Sequence, residues 1–103
     1  MERVLHLASQ RAVVIFTVST CSMCHAIKTF FSDMGVNPTI HELDQDPRGR
    51  DMERALVRLL GRNPAVPAVF IGGQLIGRTD RVMSLHLSGK LVPLLREAGA
   101  IWL

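Results

Sequence analysis

Two cysteines are all that the chain contains, and they stand three positions apart, Cys21 and Cys24. A disulfide between them would close a loop far too short to brace a fold, so a cysteine-stapled scaffold is excluded and the pair has a chemical purpose. A second cysteine pair is missing, and His6, His25, His41 and His86 lack Cys2His2 spacing, so an intramolecular zinc site is not expected. No basic run is present: 12 Lys and Arg against 9 Asp and Glu give a formal charge of +3, but the arginines are scattered, and no nucleic-acid module is read from them. Met1 to Gln10 carries Glu2 and Arg3 and too few apolar residues for a signal-peptide core or a membrane span. The expected location is the cytoplasm and nucleus, and the expected state a monomer. Linkers, internal repeats and low-complexity segments are also lacking. The 103 residues, 48% apolar and 20% charged, are therefore expected to form one packed domain over 1–103.

What is present begins with Ala12 to Val18 (AVVIFTV), a β-branched run that reads as a strand buried on both faces. From Ser22 to Met34 the residues Met23, Ala26, Ile27, Phe30, Phe31 and Met34 recur at helical spacing, and Gly35 is a natural stop. A strand over Thr39 to Leu43, a turn over Asp44 to Gly49 and a helix over Arg50 to Leu60 follow. Ala68 to Ile71 and Gln74 to Ile76, joined by Gly72-Gly73, suit a tight hairpin. Val82 to Leu87 and Leu91 to Ala98 read as helices, with Pro93 near the start of the second, where its missing N–H matters least. The order β-α-β-α-β-β-α-α predicts an α/β fold: a four-stranded mixed sheet flanked by helices on both faces.

A Cys-x-x-Cys at a strand-to-helix junction sets its first sulfur beside free helix N–H groups, which stabilise a thiolate. Cys21 is then the nucleophile, and Cys24, one turn deeper, the thiol that resolves a mixed disulfide. The alternative is two cysteines that merely end a buried helix. Ala65-Val66-Pro67-Ala68 stands directly before a strand, where Pro67 is a candidate cis residue. If Val66 turns its N–H and C=O outward, it can pair with an extended cysteine-containing peptide beside Cys21; otherwise Pro67 is an ordinary trans residue opening a strand. After the hairpin, Gly77-Arg78-Thr79-Asp80 turns into a helix, and Asp80 can cap it or accept from a ligand ammonium. His25 follows Cys24 but points about 100° away from it, and reads as an exposed helix residue.

Thr20-Cys21-Ser22-Met23-Cys24, Val66-Pro67, and Gly72-Gly73 followed by Gly77-Arg78-Thr79-Asp80 together resemble a glutaredoxin over nearly the whole chain. The stretch Ser22 to Lys28, the segment Leu91-Val92-Pro93-Leu94-Leu95 and the ending Ala100-Ile101-Trp102-Leu103 are similar to the plant CC-type, or class III, glutaredoxins. The resemblance implies a thioredoxin fold with a cis Pro67. It implies a glutathione groove of Cys21, Val66, Pro67, Thr79 and Asp80, with glutathione as co-substrate. It also implies binding of TGA-type basic leucine-zipper factors and a TOPLESS-type co-repressor through Leu91, Leu94, Leu95, Ile101, Trp102 and Leu103. Leu91, Leu94 and Leu95 could equally be the buried stripe of a last helix.

Departures from the family pattern sharpen these expectations. Ser22 stands where the subgroup carries a further cysteine, so chemistry needing a third thiol is absent. Val18 replaces the Lys that in classical glutaredoxins binds the glutathione carboxylate and activates the thiol. Thr20 and Arg81 replace a Tyr and an acidic residue, and Ile101 a Leu of similar volume. Two functions follow: a weakly activated glutathione-dependent oxidoreductase, or an adaptor that docks on a transcription factor. A [2Fe–2S] cluster shared between two subunits would need external glutathione thiolates, since this chain lacks the cysteines to hold one, and is not favoured.

Overall fold

A computed structural model describes residues 1–101. The chain runs α1 (Glu2–Ala8), β1 (Val13–Thr17), α2 (Ser22–Asp33), β2 (Thr39–Glu42), a 3-10 turn (Leu43–Gln45), α3 (Gly49–Leu60), β3 (Ala68–Ile71), β4 (Gln74–Gly77), α4 (Thr79–Leu87) and α5 (Leu91–Glu97). The four strands lie in the order β2-β1-β3-β4. β1 pairs parallel with β2 and antiparallel with β3, and β3 pairs antiparallel with β4. This is the mixed sheet expected from the sequence.

All five residues of β1 are buried, because the sheet is covered on both faces. Alternation divides them: Val14 and Phe16 join one core with Phe70 of β3, Leu56 of α3 and Val4 of α1. Val13 and Ile15 join the other, with Ile27 and Phe31 of α2 and Leu91 of α5. Burying a side chain such as Ile27 or Phe31 stabilises the fold by about 1.5–3 kcal/mol. The hairpin turns on Gly72 and Gly73, at φ of 60° and 80°. Two successive positive φ values are what a two-residue turn between twisted strands requires, and glycine adopts them without a Cβ penalty.

The start of α3 is fixed by contact: a Cβ on Gly49 would run into the Leu43 carbonyl of the 3-10 turn. Its end is closed by Gly61 at φ 68°, whose N–H donates to the Val57 carbonyl at 2.8 Å. Pro93 falls in the first turn of α5. Two elements differ from the sequence reading. α1 occupies a segment in which the sequence predicts no element, with only Val4 and Ala8 buried, one turn apart on one side. α4 begins at Thr79, three residues before the apolar pattern that marks it.

Candidate active site

Cys21 sits where β1 hands over to α2. It is the N-cap residue of that helix, in extended backbone geometry (φ −86°, ψ 109°), and its Sγ accepts the Cys24 N–H at 3.0 Å. The two sulfurs are joined as a disulfide. They differ in access: Cys21 is half-buried, whereas Cys24 is 2% exposed and packs with Phe16 and Leu56 in the core shared with α3. Only the first sulfur is open to an approaching disulfide, and the second is held one turn behind it.

The loop leading to Cys21 is tied to the end of β2. The Ser19 N–H donates to Asp44 Oδ1 at 3.0 Å and the Ser19 hydroxyl to Glu42 Oε2 at 3.0 Å. The Cys21 N–H donates to the Val18 carbonyl at 3.2 Å. Hydrogen bonding from Ser19 holds the exposed Asp44 carboxyl below its ordinary range. Val18 is half-buried and borders an open cleft of ≈630 Å³ between the 3-10 turn and α3, with Asp44, Asp46, Arg50 and Arg54 among its walls. His25 is exposed, as expected, with Nε2 at 3.4 Å from the Ser19 carbonyl oxygen.

Pro67 is cis, as the resemblance implied, and so is Pro64, whose peptide bond with Asn63 carried no signal in the sequence reading. Val66 and Pro67 are buried beside β3. The Val66 carbonyl does not simply face outward: it accepts from Arg78 Nη2 at 3.4 Å. Thr79 opens α4, and its Oγ1 is buried without a hydrogen-bond partner among the described residues. Asp80 is not the helix cap. Arg78 occupies that position, without a side-chain capping bond, and Asp80 lies in the first turn, where its charge complements the helix dipole. Arg62 Nη1 donates to Asp80 Oδ2 at 2.8 Å and holds that carboxyl below its ordinary value. The Arg62–Asp80 ion pair and Arg78 had no local sequence signal, because each depends on a partner from another element.

The C-terminal candidates separate. Leu91 and Leu95 are fully buried in the core they share with Ile27 and Phe31 of α2, while Leu94 and Ile101 are half-buried at its edge. Trp102 and Leu103 lie outside the described residues. Among the described residues no three His, Cys, Asp or Glu side chains gather as a metal site would require, and no helix is long and apolar enough to cross a membrane.

A disulfide-forming pair at the start of a helix, with one sulfur open and one buried in the core that also holds Val66, the residue before a cis proline, defines a thiol–disulfide oxidoreductase of thioredoxin fold. The glutaredoxin family model matches residues 13–76. The chain is 70% identical over 102 residues to rice glutaredoxin-C1, covering 99% of each, and 58% identical over 103 residues to an Arabidopsis putative glutaredoxin-C12, covering all of both. A crystal structure of a buckwheat glutaredoxin–glutathione complex superposes with a TM-score of 0.92 at 39% identity, over 98% of this chain and 91% of that one. This chain therefore belongs to the glutaredoxin family, in its plant CC-type branch.

Proposed function

We propose that this glutaredoxin uses glutathione as its co-substrate. The carrying observation is the inequality of the two sulfurs, Cys21 open at the helix N-terminus and Cys24 buried behind it. In the reaction the Cys21 thiolate attacks the glutathione sulfur of a glutathionylated protein, and the protein's sulfur leaves as a thiolate that takes up a proton. The mixed disulfide at Cys21 is then broken by a second glutathione, giving oxidised glutathione, or by Cys24, giving the Cys21–Cys24 disulfide. Val66, Pro67, Thr79 and Asp80 form the groove for the tripeptide, a reading supported by the glutathione found in the buckwheat relative.

Activation of Cys21 is weak. Val18 places an apolar side chain where a cation would stabilise the thiolate and the ligand carboxylate. We assign its regulatory targets to TGA-type factors in the cytoplasm and nucleus. That same valine favours a second reading, an adaptor in which catalysis is minor and a TOPLESS-type co-repressor is engaged by Leu94, Ile101, Trp102 and Leu103. Leu91 and Leu95 serve the core of the fold. A [2Fe–2S] cluster does not fit the chain's own donors, one accessible cysteine and one buried.

Turnover of a small glutathione mixed disulfide, with glutathione and its reductase, tests the reading. Val18→Lys is expected to raise turnover about tenfold, the effect of one added cation worth about a pKa unit at the thiol. Absence of turnover in both proteins at high glutathione would leave the adaptor.

A further inference from the structure

Among the described residues, Arg78 is a cation without an anion. Its Nη2 reaches the Val66 carbonyl at 3.4 Å, a long hydrogen bond to a neutral acceptor. Its Nε is buried and has no partner among the described residues, and neither has the neighbouring Thr79 Oγ1. The carboxylate one position further on, Asp80, is engaged by Arg62 instead. Buried donors without acceptors are unfavourable, and native structures rarely keep two side by side without a reason. The guanidinium moreover rests on the carbonyl that precedes cis Pro67, the acceptor that the main chain of an incoming thiol peptide would use.

We propose that Arg78 is a specificity-determining residue that reads a carboxylate on the incoming thiol ligand. On binding, the guanidinium gives up its long bond to Val66 and closes its Nε–Nη2 fork on the carboxylate, a planar, charge-assisted match. The Val66 carbonyl is thereby freed to accept an N–H of the ligand. A thiol peptide without a carboxylate must displace the same guanidinium and offers it no anion in return. The inference rests on the glutathione reading above and adds to it the side chain that selects for anionic thiols. It also supplies, from the start of α4, a positive charge that Val18 does not.

The test compares two reductants of the oxidised protein, glutathione and glutathione diethyl ester, which share a thiol and a peptide skeleton but differ in carboxylates. In each reaction the thiolate attacks the Cys21 sulfur, the Cys21–Cys24 bond breaks, and Cys24 leaves as a thiolate that takes a proton from water. Rates are divided by those of the same thiols with a small aromatic disulfide, which removes any difference in thiol acidity. The wild type should prefer glutathione, and Arg78→Ala should lower that preference about tenfold, the scale of one charge-assisted hydrogen bond, while the ester reacts faster than with wild type. Arg78→Lys, which keeps the stem and the charge but not the fork, should lie between. Lys90→Ala, a charge lost beyond the far end of α4, should leave the preference unchanged. A preference equal in wild type, Arg78→Ala and Arg78→Lys would overturn the inference while leaving the glutathione reading intact. A wild-type disulfide that glutathione does not reduce would remove that reading, and the inference with it.

Discussion

Under α2, α4 and α5 the sheet buries Val13, Ile15, Val69 and Ile71 against Ile27, Phe31, Leu91 and Leu95; under α1 and α3 it buries Val14, Phe16 and Phe70 against Val4, Leu56 and the sulfur of Cys24. The first core is wholly structural. The second reaches the reacting pair, since Cys24 belongs to it and the half-buried Val18 and Cys21 pack on its edge. Stability is drawn from both faces, but the buried sulfur of the pair sits in one of them.

Mutations can separate these roles. The largest effect is expected from Phe31→Ala in the structural core, a loss of about 3–5 kcal/mol in denaturant unfolding. Alkylation of reduced Cys21 in the folded variant should keep its wild-type rate; a changed rate would mean that the two cores are not independent. Leu56→Ala, on the other face, should cost about 2–5 kcal/mol and also speed alkylation of Cys24 by opening the packing around it. Cys24 reacting no faster in that variant would break the proposed link between this core and the chemistry.

The smallest effect concerns His41, which is half-buried and stacks on Phe16 of the α1–α3 core with ring centroids 5.4 Å apart. Burial pushes its pKa below 6.5, aided by Arg3 and opposed by Asp46. The unfolded chain therefore takes up this proton first as the pH falls, and stability should decline from neutrality through the range below 6.5. Asp44 and Asp80, whose carboxyls are lowered from 3.8, stabilise the fold above that value and lose their contribution only as the pH falls through their depressed pKa values. His41→Phe should flatten the slope between neutrality and pH about 5 in stability measured against pH, because the histidine's share of proton uptake is gone. A slope as steep as that of wild type would place the titration elsewhere.

The two cores also differed in how plainly the sequence announced them. β1, α2 and the glycine hairpin were legible because a long β-branched run, a twelve-residue amphipathic pattern and a positive-φ turn each have a local cause. α1 was not: in seven residues with only Val4 and Ala8 buried and Leu5 44% exposed, the helical period has no length in which to show. At the site, Cys21 and Cys24 were legible from spacing, and the cis state of Pro67 only through resemblance to a family. Arg62 on Asp80 and Arg78 on Val66 join residues 18 and 12 positions apart, so their pairing exists only once α3, β3 and α4 have been brought together.

The central claim, that Cys21 reacts and Cys24 waits, is tested most directly by mass spectrometry of glutathione adducts on two single-cysteine variants given oxidised glutathione. Cys24→Ser should become glutathionylated at Cys21, while Cys21→Ser, left with a thiol that is 2% exposed, should remain largely unmodified over the same time. Equal adduct formation on both variants would contradict the account.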